Sequence, residues 1–227
     1  MTSVNTPAGP QRSALRTVLL AVIAVGLVLL GGGLAVALGI GRTSADTPTA
    51  DSVDAGFSRD MARHHLQGVE MANLAPQRSQ DDDVRRLAFD ISSTQTNQAG
   101  RMQGWLTLWG LPLSGGGPMA WMADSGHAGH DMAGMGMTSS GLMPGMATEN
   151  ELAHLRGLSG KAFDVEFLRL MIRHHQGGKD MAEYGAEHAD LPAVRDLARS
   201  IVQSQTAETT LMAQMLTDRG GTPLPAP

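Results

Sequence analysis

Two adjacent histidine pairs, His64-His65 and His174-His175, each stand between methionines, Met61 and Met71 around the first and Met171 and Met181 around the second. Imidazole nitrogen and thioether sulfur together favour copper: thioethers are soft donors that select Cu(I), and imidazole suits copper, zinc and nickel. Silver(I), equally soft, would fit the same donors. At about 100° per residue, Met61, His64, His65, Gly68 and Met71 span roughly 120° of one helical face. Arg63 and Glu70 fall on the opposite face. The inner face of this helix therefore carries no carboxylate, which argues against Ca, Mg or Mn.

A methionine stripe at helical spacing commonly fills a core, and a core histidine is commonly a structural hydrogen-bonder. Two features tip the balance toward metal. The His-His pair occurs twice in the same setting, and facing the two copies would gather four imidazoles and four thioethers into one interior, a costly core without a ligand. The stretch between the copies adds more such donors, with Met119, Met122, His127, His130, Met132, Met135, Met137, Met143 and Met146 in a Gly-rich segment. Met is an odd choice for a solvated linker.

The positioning elements follow from an internal repeat. Sliding the sequence by 110 residues aligns Phe57, Arg59, Met61, Arg63, His64, His65, Gly68, Met71 and Ala72 with Phe167, Arg169, Met171, Arg173, His174, His175, Gly178, Met181 and Ala182. The register holds from Val84 and Leu87 through Gln95, Met102 and Thr107, against Val194, Leu197, Gln205, Met212 and Thr217. Each copy reads as a helical hairpin: the first has helices from about 52 to 74 and 81 to 109, the second from about 160 to 188 and on to 218. Pro76, Asp81 to Asp83, Gly110, Pro192 and Gly220-Gly221 mark the ends. Thr148 with Glu151 forms a capping-box signature for a short helix through Arg156. Two hairpins, each apolar on one stripe, predict an all-α four-helix bundle. Gln95 and Gln205 lie in otherwise apolar stripes, and hydrogen bonds to a histidine of the facing helix would satisfy them.

The N-terminal run from Thr17 to Ile40 has no charge and is long enough to cross a membrane. Arg12 and Arg16 before it place the N-terminus in the cytoplasm and the rest outside. A cleaved signal is the rival, with small-residue sites at Ala35-Val36-Ala37 and Thr43-Ser44-Ala45. The expected organisation is a cytoplasmic N-terminus (1–16), an anchor or signal (17–41), a tether (42–52), the first hairpin (53–110), a Met/His-rich connector with a short helix (111–158), the second hairpin (159–219) and a tail (220–227). The product is a single-pass membrane protein with its working domain extracytoplasmic, or a secreted one if the signal is cleaved.

Several classes are disfavoured. The chain has no cysteine, and its formal charge of -5 does not invite nucleic acid. Paired Glu-x-x-His motifs of a di-iron oxidase are missing, since only Glu151-x-x-His154 matches. No Ser/His/Asp or Cys/His set or phosphate loop offers catalysis. The expectation is a copper-binding protein rather than an enzyme, for sequestration, transfer or resistance. The alternatives are a metal-dependent ferritin-like oxidoreductase and a metal-free helical interaction domain.

The pattern Phe-x3-Met-x2-His-His-x5-Met-Ala, at Phe57 to Ala72 and at Phe167 to Ala182, resembles the family called domain of unknown function 305, over Phe57 to about Leu216. The resemblance implies an exported, ferritin-like bundle, with copper binding and resistance in the periplasm as the function of some members. It implies the same ligand positions in each copy. Lys179, beside Gly178, departs from the small-apolar pair such members often carry and would set a charge at the edge of the second site.

Overall fold

The computed structural model describes residues 11–37, 47–122 and 141–226. The chain divides into two units, residues 1–47 and 48–227. The first contains helix α1, Gln11–Ala37. Its stretch Arg16–Leu34 has a mean hydropathy of 2.5, and large side chains such as Val28 and Leu30 are exposed along it. By length and composition it can cross a membrane, as an anchor or a signal sequence would. The small-residue cleavage sites Ala35-Val36-Ala37 and Thr43-Ser44-Ala45 are not described, apart from the helical backbone of the first.

The second unit is all-α: α2 (Val53–Ala72), α3 (Ala75–Arg78), α4 (Asp82–Leu108), α5 (Glu149–Gly157), α6 (Gly160–His188) and α7 (Pro192–Asp218), with a 3-10 turn at Ala120–Met122. Local side chains set the helix starts. Ser52 caps α2 by accepting from the Ala55 amide, and Asp81 caps α4 by accepting from the Asp83 and Val84 amides. Thr148 and Glu151 close the expected capping box on α5. Pro192 opens α7, whose approach is held by Asp54 of α2: the Asp190 and Leu191 amides donate to it at 3.0 and 2.9 Å. The short α3, carrying Pro76 in its first turn, is an element the sequence reading did not separate from the preceding turn.

α2 packs along α4, α6 along α7, and α2 crosses α6. The four long helices bury their apolar stripes against one another in two clusters, and every one of them contributes to both. One cluster holds Val84, Leu87, Ile91, Phe163, Phe167 and Met212, covered by Leu152 and Leu155 of α5. The other holds Phe57, Met102, Val194, Leu197 and Ile201, covered by Met119, Trp121, Met122, Met143 and Met146 of the connector. The two ends of the connector are thus core material, which accounts for these methionines in a Gly-rich segment.

α2 and α6 run antiparallel. Phe57 near the start of α2 packs on Gly185 near the end of α6, Gly68 faces His174, and Gly178 faces His64. Both glycines are required by close approach. A Cβ on Gly178 would lie 2.9 Å from Gln205 Oε1 and 3.0 Å from His64 Cε1, and one on Gly68 would strike Gln95 Oε1 and His174 Cε1.

Candidate metal centre

The α2/α6 crossing brings both histidine pairs into one layer. All four rings are fully buried, with no exposed surface. His64 and His174 lie face to face across the crossing, centroids 3.9 Å apart and planes inclined 32°, while His65 and His175 stand outward of them at 6.5 and 6.1 Å. Burial pushes every one down from an ordinary value of 6.5, His64 to about 4, His65 and His175 to about 3, and His174 well below. Desolvation is the main cause throughout, and mutual repulsion between histidine charges adds to it for His65, His174 and His175. The rings are neutral at pH 7, the form in which histidine binds metals.

A neutral ring has one N–H and one lone pair, and the partners decide which is which. His64 Nε2 donates to the Pro144 carbonyl at 3.0 Å, His174 Nε2 to the His64 carbonyl at 2.9 Å, and His65 Nε2 to Gln98 Oε1 at 2.8 Å. In these three the lone pair sits on Nδ1, which is buried and has no protein hydrogen-bond partner. His175 differs. Gln95 Nε2 donates to its Nε2 at 2.9 Å, so the ring proton falls on Nδ1, 3.5 Å from Glu208 Oε2. Turning the Gln95 amide would exchange these roles and give a partner to Gln95 Oε1, which otherwise has none. Burial, with the charge of Asp90 adding to it, pushes the Glu208 carboxyl up to about 7.

Along α2 and along α6 the histidine pair lies between two methionines, and these pair across the crossing. Met61 and Met181 share one core cluster, and Met71 and Met171 share the other. Each end of the crossing therefore has one thioether from α2 and one from α6, as the antiparallel arrangement dictates. Among the described residues no three His, Cys, Asp or Glu side chains gather as a metal site by themselves. A metal held here would need thioether sulfur to complete its coordination.

Gln95 and Gln205 are both buried, as their stripes implied. Gln95 bonds the histidine of the other repeat, His175, whereas neither polar atom of the Gln205 side chain has a hydrogen-bond partner. Lys179 pairs with Glu183 on the outer surface. His127, His130, Met132, Met135 and Met137 lie outside the described residues.

Sequence reasoning missed three participants. Gln98 and Glu208 occupy equivalent positions at the 110-residue offset, three residues after Gln95 and Gln205 on the same helical face, a signal present in the sequence. The third is a strap, residues 141–148, that lies over the crossing. Gln67 clamps it at both backbone atoms of Ala147, donating to the carbonyl at 2.9 Å and accepting from the amide at 2.7 Å. Pro144 of the strap seats on Gly177, where a Cβ would collide with the Pro144 backbone, and Gly145 turns with φ 78° beside the Arg173 and His174 backbone. Gly177→Ala is expected to lift the strap, expose His64 and cost about 1–3 kcal/mol, the range for overpacking a tight contact. Urea unfolding, with His64 reactivity toward diethyl pyrocarbonate, reads both effects; an unchanged midpoint and a protected His64 would contradict it.

Comparison with known proteins yields a consistent picture. The model of the family described as domain of unknown function (DUF305) matches residues 54–216. No curated protein matches. A Streptomyces coelicolor DUF305 protein, described as secreted, is 45% identical, with a TM-score of 0.68 over 78% of this chain and 99% of that one. A DUF305 fragment from Deinococcus radiodurans is 34% identical, with a TM-score of 0.58 over 73% of this chain and 96% of that one. CopM in its Cu(I)-bound form is 25% identical, with a TM-score of 0.56 over 74% and 98%. In its Cu(II)-bound form it is 27% identical, with a TM-score of 0.53 over 74% and 97%.

Proposed function

The chain belongs to the DUF305 family, and on that premise we propose that it is an extracytoplasmic copper-binding protein, tethered by α1, that sequesters or hands on Cu(I). The observation that carries this reading is the histidine layer: four neutral, fully buried rings, three of which aim an unpartnered Nδ1 lone pair into the interior. An unsatisfied buried acceptor costs about 1–3 kcal/mol. A bound cation removes that cost, and the carbonyl and amide groups on Nε2 are the partners that fix a ligating histidine's tautomer.

The architecture is a ferritin-like four-helix bundle built from two duplicated hairpins. On this reading the cross-repeat methionine pairs define two sites, one at each end of the histidine layer, His65 and His175 contributing with Met61, Met181, Met71 and Met171, and His64 and His174 lying between. Gln98 and Gln95 orient the outer rings, while Pro144 and the His64 carbonyl orient the inner ones. The connector donors His127, His130, Met132, Met135 and Met137 would deliver or receive the ion. The likeness to CopM, solved with Cu(I) and with Cu(II), supports copper. Silver(I) fits as a soft surrogate. Among the described residues no arrangement suggests a reaction, and we read the protein as a binder rather than an enzyme.

Titration of the purified chain with Cu(I) against a competing chelator tests this. Uptake tighter than the chelator's is expected, with a rise in thermal midpoint, because a ligand at about 1,000 times its Kd stabilises the folded state by about 4 kcal/mol. Changing His64, His65, His174 and His175 together to Ala removes both effects. No uptake and no thermal shift in the parent chain would leave the metal-free interaction bundle as the better reading.

A further inference from the structure

The repeat sets position 98 of one half against position 208 of the other, and here the halves part: Gln98 is neutral, Glu208 acidic. Each reaches the outer histidine of its own copy. Gln98 Oε1 accepts from His65 Nε2, leaving Nδ1 open, while Glu208 Oε2 lies 3.5 Å from His175 Nδ1 itself. The Glu208 side chain is 22% exposed and the ring beside it is wholly buried. No lysine or arginine pairs with Glu208 among the described residues, so no structural ion pair accounts for an acid at this depth.

We propose that Glu208 is a further metal-binding and specificity-determining residue, whose carboxylate and His175 Nδ1 form a mixed oxygen and nitrogen pair that makes this half prefer Cu(II), while the Gln98 half prefers Cu(I). This rests on the copper reading above. Carboxylate oxygen is a hard, anionic donor that suits the higher charge of Cu(II), whereas imidazole with thioether alone suits Cu(I). The ion takes the place of the proton on Nδ1, which leaves to water past the exposed edge of the carboxylate. No electron is transferred. Glutamine has nearly the shape of glutamate without its charge, so the exchange of the two isolates the donor.

The experiment compares the full chain with Glu208→Gln and Gln98→Glu, using Cu(I) titration without oxygen and Cu(II) titration followed by electron paramagnetic resonance. Far-ultraviolet circular dichroism of each metal-free protein checks that the helices are retained. Glu208→Gln is expected to lose tenfold or more in Cu(II) affinity, the scale seen when a metal site loses a supporting group, with altered hyperfine splitting and unchanged Cu(I) affinity. Gln98→Glu is expected to gain a second equivalent of Cu(II). A parent chain that binds Cu(I), with Glu208→Gln leaving Cu(II) affinity and spectrum as they were, would overturn this inference alone. A parent chain that binds neither ion would overturn the copper reading and this inference together.

Discussion

Acidification from pH 7 to about pH 5 is expected to unfold the helical domain, well before ordinary carboxylates are protonated. The four histidines have folded values below the unfolded 6.5, at about 4 for His64, about 3 for His65 and His175, and well below 6.5 for His174. A group depressed in this way contributes its full stability above 6.5 and loses it as pH falls toward the folded value, since only the unfolded chain takes up the proton. Each histidine gives up at most about 1.4 kcal/mol per pH unit, so four acting together lose about 5 kcal/mol per unit against a typical total of 5–15 kcal/mol. Glu208 works in the opposite sense. Its folded value is raised to about 7, so it regains stability as pH falls from there toward 4.5, but it is one group against four. Glu151, lowered to about 2 chiefly by its hydrogen bond with Arg173, adds to the loss only below 4.5. Circular dichroism against pH, with proton uptake measured alongside, should give a midpoint between pH 6 and about 5 and several protons bound. Replacing His65 and His175 by Gln should roughly halve the slope, and saturating Cu(I) should move the midpoint to lower pH. A domain that stays folded to pH 4 without metal would contradict the burial of neutral rings on which the site rests.

The long helices were legible because their signals are local. Ser52, Asp81, Thr148 and Pro192 start helices by hydrogen bonds or fixed dihedrals within three residues of themselves, and the stripes of Val84, Leu87 and Ile91 follow helical periodicity. The burial of both histidine pairs was legible for the same reason, since a projection shows which face a helix must hide. What a projection of one helix cannot show is which copy a side chain meets. That follows from the antiparallel crossing of α2 and α6, which puts Met61 with Met181 and sends Gln95 to His175 rather than to its own copy's ring. The strap was illegible because its hold on Gln67, His64 and Gly177 spans residues far apart in sequence. Inward carboxylates were less legible: the expectation of none on α2 is overturned by Asp60, buried at the edge of the stripe and accepting from the Met119 amide and the Trp121 indole at 2.8 Å, and Glu208 stands on a helix without histidine, although Gln98 occupies its counterpart position.

The cross-repeat pairing makes the larger prediction about metal. If each end of the histidine layer uses one thioether from each copy, the pair Met61 and Met181 serves one ion and the pair Met71 and Met171 the other. Changing Met61 and Met181 together to Leu should then abolish one equivalent of Cu(I) and leave the second nearly intact. Changing Met61 and Met71 together should leave both equivalents weakened, because each end keeps one sulfur. Methionine and leucine are close in volume, so such exchanges in a core usually cost under about 1.5 kcal/mol and the fold should persist. Loss of a soft donor has no such cushion: the remaining groups at that end are imidazole nitrogens, which hold Cu(I) without the sulfur that favours it over harder ions. The discriminating quantity is the coupling between the two substitutions in a double-mutant cycle on Cu(I) affinity, which should be large for Met61 with Met181 and near zero for Met61 with Met71. The opposite pattern would mean that each copy closes its own site along one helix. Under the antiparallel crossing that arrangement would separate its two sulfurs into different core clusters, at opposite ends of the histidine layer.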